Sequence, residues 1–432
     1  MALLFPLALL LTFAQSPRPE PVRADTDTVA VDVGEVVQAA AEDASDAAEA
    51  VRRLRVRPVV SPSTLYSSSK GFGLGGGVAV DDVLSWGDHL QVEGRLAQRL
   101  QGAYGEYRTG NADDDALFLL FGAAGWTTSR TRFAGHGPHS NPDGSLYLDR
   151  DVALGEARLG WSPSGPGGVL IQPALRLRMD KLNGFEETEP GSLQRVRPEE
   201  IDRLDTLRVE RRLGAEIALA VIRDTRNIRA LPSRGSYAQA EISRFQTIDG
   251  SKLGFTRVQA TVYGFRPALI RIPFLPERGA VFVRANGVVT RDDGEDPLPW
   301  VYLPEAEQDL LVGYPRSDFV GRDAFSVGVG ARGVIAQAIG AFLVEGVAMA
   351  LVGAAYDDVV REFTPTIRFD TGAVPDGERV PLSPSVAVGL NLHFLDRERP
   401  LVGVLVGAGP DGISLASLRL IYGLRDFRPR FR

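Results

Sequence analysis

Cysteine is absent from this 432-residue chain. That excludes disulfides, thiolate metal centres, a cysteine nucleophile and an N-terminal lipid anchor. Histidine is scarce at four residues, and no motif brings one together with a serine and a carboxylate as hydrolytic catalysis would need. Runs of roughly eighteen apolar residues do not occur, so no helix is marked to span a bilayer. Positive charge is in deficit, with a formal net charge of −7, which argues against nucleic acid as a partner.

What is present is a chain with 44% hydrophobic residues, 24% charged residues, 47 glycines and a mean hydropathy of −0.04. A soluble protein can have this composition. So can a barrel with an apolar outside and a polar inside, because strict alternation averages hydropathy toward zero. Residues 1–14 form a leucine-rich stretch too short to cross a membrane, with Thr12 and Ala14 as small residues before Gln15. They read as a secretory signal, with an alternative cut after Ala24. Residues 15–56 read as a periplasmic linker, with a short helix over about 35–54 among strong helix formers such as Ala39, Glu42 and Ala48.

Beyond residue 57 the helical period gives way to a period of two. Leu213, Ala215, Ile217, Leu219 and Val221 alternate with Arg212, Gly214 and Glu216; Val386, Val388, Leu390 and Leu392 alternate with Ala387, Gly389, Asn391 and His393. Such sets project to opposite faces of a strand. Soluble sheets alternate too, but their strands average five or six residues. Several runs here exceed ten, the length a tilted strand needs to cross a bilayer.

Sixteen strands are expected, at about 58–66, 71–82, 87–99, 102–110, 115–128, 145–162, 167–183, 205–223, 236–248, 254–266, 278–291, 322–335, 338–352, 384–396, 400–408 and 412–424. The long connections, 129–144, 184–204, 292–321 and 353–383, all follow odd-numbered strands and so share one end. Outer-membrane barrels have this asymmetry, with short periplasmic turns and long outer loops. The fold class expected is all-β: a transmembrane antiparallel barrel over residues 57–424 with a short N-terminal helix before it and a tail at 425–432.

Two segments carry a more specific signal. Arg223-Asp224-Thr-Arg226-Asn-Ile-Arg-Ala-Leu-Pro232-Ser-Arg234-Gly235 joins two strands at the periplasmic end. It resembles the D-T-R-D-N-x-x-x-P-T-R-G turn of the BamA/TamA-like barrels, the bacterial surface antigen superfamily. Leu311-Val312-Gly313-Tyr314-Pro315-Arg316-Ser-Asp-Phe-Val-Gly321-Arg322-Asp-Ala is similar to that family's L-R-G-Y-P-x-G-x-F-x-G-R-N-A, carried by the sixth outer loop. The resemblance implies that this loop folds back into the lumen. It also implies a facing segment on the thirteenth strand, Phe342-Leu-Val344-Glu-Gly346, in place of F-x-D-x-G. The family pairs a loop arginine with that aspartate. Here valines stand at both positions, Val312 and Val344, and an apolar version of the contact is expected, with Arg316 and Glu345 as alternative charges.

The resemblance implies an outer-membrane location and assistance to the insertion or translocation of outer-membrane proteins or lipids, without chemical catalysis. The partners implied are outer-membrane lipid, client outer-membrane proteins and a separate periplasmic POTRA-type protein, since 15–56 is too short for such a domain. A passive channel or structural barrel is the alternative. No catalytic, cofactor or metal site is marked. His136 and His139 with Asp143, and the acidic runs Asp113–Asp115 and Asp292–Asp296, read as solvated loops. Arg176, Arg178, Arg208, Glu210, Arg212 and Glu216 read as a lumenal charge network.

Overall fold

The computed structural model describes residues 63–67, 71–81, 83, 88–110, 115–133, 146–165, 168–187, 190–191, 201, 212–227, 231–268, 279–295, 298–299, 302–303, 321–338, 342–369, 374, 378–394, 400–409 and 412–420. The signal, the linker helix and the tail lie outside them, as do His136, His139, Arg208 and Glu210.

The strands are β1 (Ser63–Ser67), β2 (Gly71–Asp81), β3 (Asp88–Ala97), β4 (Leu100–Thr109), β5 (Leu117–Phe133), β6 (Leu146–Trp161), β7 (Leu170–Glu187), β8 (Arg212–Asp224) and β9 (Gly235–Thr247). They continue as β10 (Gly254–Pro267), β11 (Ala280–Asp292), β12 (Asp323–Ala338), β13 (Phe342–Tyr356), β14 (Phe363–Ile367), β15 (Val380–Phe394), β16 (Pro400–Gly409) and β17 (Gly412–Leu420). Sixteen of them match the expected strands. The seventeenth, β14, follows a single helical turn, α1 (Val359–Glu362), inside the connection expected to be loop.

Each of the sixteen pairs antiparallel with its neighbours in sequence order, β13 pairing directly with β15. β1 pairs with β2 on one side and with β17 on the other. The sheet therefore returns on itself, and β14 adds a parallel strand to the start of β15. Because pairing is antiparallel throughout this ring, the connections alternate between two ends. Those after β5, β7, β11 and β13 are long and share the end termed outer below.

Alternation sorts the side chains. Ile217, Leu219 and Val221 on β8 and Val386, Val388 and Leu390 on β15 are exposed, and they continue around the wall in Val258, Val281, Val283, Val327 and Val329. Their inward neighbours, such as Ala218, Glu241, Arg284 and Ala387, are buried. A monomer in water rarely displays apolar surface of this extent. The pattern is that of a barrel with lipid outside. No helix among the described residues is long and apolar enough to cross a membrane; the crossing elements are the strands.

Candidate functional site

At the inner end, the turn between β8 and β9 is built from its own motif residues. Asp224 receives two bonds from the Arg226 guanidinium, at 2.9 and 2.6 Å, and that guanidinium lies over the Tyr237 ring at 5.1 Å. The Asn227 side chain closes the loop by accepting from the Ser233 and Arg234 N–H groups, both at 3.1 Å. Gly235 has φ +98, and a Cβ there would come within 2.2 Å of the Thr225 carbonyl oxygen. Only glycine adopts this geometry without strain. Pro232 is buried in the same turn. The motif is thus a self-contained clasp that sets how one strand re-enters the wall.

Inside the barrel the charges are paired. Arg176 on β7 meets Glu156 of β6 at 2.7 Å, Glu216 of β8 at 3.4 Å and Glu241 of β9 through two bonds at 2.8 and 2.9 Å. Arg158 joins Glu156 at 2.8 Å and Gln172 at 3.0 Å. Nearer the outer end Asp180 takes Arg150 and Arg178, the latter at 2.5 Å. Of the residues expected in a lumenal network, Arg176, Arg178 and Glu216 are in it, and Arg212 is buried beside it. Arg176 is only 3% exposed. A buried guanidinium is tolerable when its fork is filled by carboxylates in this way.

The connection after β11 enters this space. Leu298, Tyr302 and Leu303 pack in one cluster with the inward Leu146, Leu148, Leu182, Phe245 and Phe255. The Tyr302 ring lies 5.0 Å from Phe245, with the Arg178 guanidinium 4.6 Å from its centre. Arg257 donates to the Tyr302 carbonyl. Burial, with Asp180 nearby, pushes the Tyr302 phenol well above its ordinary pKa. So the first limb of the sixth outer connection is folded into the lumen and anchored there.

The motif in its second limb is only partly described. Val312, Gly313, Tyr314, Pro315 and Arg316 lie outside the described residues. Gly321 sits against β13, where a Cβ would stand 2.7 Å from the Tyr356 carbonyl oxygen, so the close approach itself demands glycine. Arg322 reaches Asp292 at 3.8 Å. The next residue, Asp323, fastens this corner: it accepts from Arg291 at 2.6 Å and from the Val359 N–H at 3.0 Å.

The facing strand differs from the expectation. Val344 pairs with Leu392, and Phe342 with Phe394, Gly346 with Leu390. That set shares its side with the exposed Val388 and Leu390, so Phe342, Val344 and Gly346 face away from the lumen. The inward group is Glu345, 0% exposed. Its carboxylate accepts from Arg332 of β12, from Asn391 of β15 at 2.9 Å and pairs with His393 Nε2 at 2.8 Å. The strand's carboxylate has moved one position along, and the wall itself supplies its counter-charge. The inward parity of Asn391 and His393, already visible in sequence, was the signal that could have located it.

The ring closes between β1 and β17. Among the described residues these strands pair at Thr64 with Leu420, Leu65 with Arg419 and Tyr66 with Leu418. The β10–β11 pair, by contrast, runs unbroken from Phe255 with Asp292 to Pro267 with Ala280.

No family model and no curated protein matches the sequence. Solved structures do. BamA from Haemophilus ducreyi lacking POTRA domains 1–3 matches with a TM-score of 0.58 at 15% identity, over 84% of this chain and 70% of that one. In fold, this is a BamA-type barrel. CdiB from Escherichia coli follows with a TM-score of 0.47 at 12% identity, over 88% of this chain and 67% of that one. CdiB from Acinetobacter baumannii gives 0.47 at 10%, over 84% and 59%. As a BamA-type barrel the chain has a wall whose last strand pairs with its first, an inner-end clasp and a connection whose first limb packs in the lumen. The acidic run of the sixth outer connection is engaged by cations: Asp293 by Arg244 at 3.4 Å and Glu295 by Lys252.

Proposed function

We propose that this chain resides in an outer membrane and assists the insertion or translocation of outer-membrane proteins or lipids, without chemical catalysis. The seam carries the reading. Among the described residues, three paired positions between β1 and β17 join the first strand to the last. Parting them leaves two strand edges whose backbone groups are a template for an incoming strand. Client outer-membrane proteins are therefore the partners proposed, with delivery by a separate periplasmic POTRA-type protein. The residues proposed to shape the machine are the clasp (Asp224, Arg226, Pro232, Arg234, Gly235) and the sixth-loop motif (Val312 to Arg316, Gly321, Arg322).

The lumen speaks against the alternative of a passive channel. A wide aqueous pore would leave Arg176, Glu241 and Glu345 open to water, whereas all are buried.

The test uses the absence of native cysteine. Leu65→Cys with Arg419→Cys places one thiol on each side of the seam at directly paired positions. In liposomes, the reduced protein is expected to accelerate folding of a test barrel, and the oxidised protein to lose that acceleration and regain it on reduction. Equal rates with the seam locked or free would refute the reading. Steady ion conductance with no assistance would favour the channel instead.

A further inference from the structure

The connection between β13 and β15 does not stand clear of the wall. It turns through α1 and β14 across the outward face, burying Ala354, Tyr356, Val380 and Leu382 beneath it. Pairing fixes the side: Val352 lies opposite Pro384 and Ala350 opposite Val386, so Val380 and Leu382 share a face with the exposed Val386 and Val388. Phe325 joins from β12, two residues from the exposed Val327. It stacks on Tyr356 with ring centres 5.7 Å apart and meets Phe363 at 5.7 Å. A hollow of about 460 Å³ remains, lined by Phe325, Val359, Val360, Arg361, Phe363 and Arg379. Of the lining residues, Val360 is 83% exposed.

We propose that this ledge binds an anionic, phosphate-bearing lipid, with an acyl chain in the hollow and the phosphate at Arg361 and Arg379. The proposal rests on the outer-membrane reading above. Continuity selects a lipid as occupant, because the hollow extends the apolar belt on the same face. Level does so too: Phe325 lies about 7 Å along the strand beyond Val327, where aromatic side chains meet headgroups. The arginines at the mouth then select charge. Arg361 lies 3.4 Å from Asp358 at the surface, and an exposed pair of this kind is weak. The nearby Glu362 is turned back to accept from the Asp357 N–H at 3.0 Å.

The full chain, folded in micelles, would be offered dimyristoyl phosphatidic acid and dimyristoyl phosphatidylcholine in equal amounts, and retained lipid counted by native mass spectrometry. The parent is expected to retain the anionic lipid about tenfold over the zwitterionic one. Arg361→Gln with Arg379→Gln should equalise the two, and Arg→Lys at both positions should restore the preference. Val360→Asn, at an exposed position of the lining, should lower retention of both lipids. Equal retention by the parent, or a preference that survives the double Gln variant, overturns the proposal. Heat-modifiable migration after insertion into vesicles separates the two readings. A chain that inserts normally without lipid preference refutes only the ledge, whereas one that never inserts refutes the membrane reading with it.

Discussion

Replacing Glu345 by alanine should unsettle the barrel more than any change at Val344, its neighbour. The carboxylate is fully buried and is held by Arg332, Asn391 and His393 from the two adjacent strands. Removing it takes one partner from the half-buried Arg332 guanidinium, from Asn391 and from the buried His393, which costs about 3–5 kcal/mol. Glu345→Gln keeps the shape and one acceptor but forfeits the charge, a loss of about 1.5–3 kcal/mol. Val344→Ala trims an outward side chain beside Leu392 and costs about 1.5 kcal/mol. Taking out both charges, with Glu345→Met and Arg332→Met together, should recover much of the alanine deficit, since a buried pair replaced by apolar groups is often near neutral. Urea unfolding of vesicle-inserted protein, followed by tryptophan emission, gives the midpoints. The reasoning fails if Glu345→Ala shifts stability by less than about 1 kcal/mol, the smallest loss expected for an unsatisfied buried partner. It fails equally if Val344→Ala proves the costlier change.

Three other outcomes are expected. Tyr302→Ala removes a buried ring, a loss of about 3–5 kcal/mol, but the loss is drawn from docking of the loop rather than from the wall. Protease added outside intact vesicles should then cut near residues 293–303 while the barrel's gel mobility is unchanged; resistance equal to the parent's would deny the anchor. Gly235→Ala forces a side chain into a left-handed turn against the Thr225 carbonyl and should lower stability by about 1–3 kcal/mol, read as a lower urea midpoint, whereas a neutral result would mean the clasp can relax. At the outer turn between β9 and β10, burial works against ionising Asp249, but bonds from the Leu213 N–H and from Ser251 outweigh it and hold the carboxyl below its usual range. Its contribution is therefore present above about pH 4 and lost as pH falls through the lowered value. Amide exchange at Leu213 should quicken relative to a distant strand amide on acidification, and Asp249→Asn should abolish that difference.

Much of this architecture was legible because a wall between lipid and a polar lumen forces alternation on every strand. Ile217, Leu219 and Val221 against Glu216 and Ala218 could face only one way. The parity of the long connections followed from pairing, so their common end was legible in the sequence. The clasp was legible as well, since Asp224, Arg226 and Gly235 make a turn with contacts inside fifteen residues. The wall carboxylate was legible only as an alternative. Glu345 stood as a substitute charge, while the motif alignment put the contact at Val344. Phe342 to Ala350 is apolar on both faces apart from Glu345, so its own alternation is faint. The inward side of that strand is set instead by its register with β15. β14 was illegible, because Phe363-Thr-Pro-Thr-Ile367 carries a proline in the middle and no apolar period. Its pairing depends on the surface that Val380 and Leu382 present to it. Likewise nothing local announces that Leu298 and Tyr302 belong with Phe245.

The joint between β1 and β17 has a further consequence for crowded membranes. A ring opened there is self-complementary: the first strand of one copy can pair with the last strand of a second, and the reverse, about a twofold axis. Such an exchange satisfies every edge at once and closes into one larger ring, so dimerisation would compete with reclosure as surface density rises.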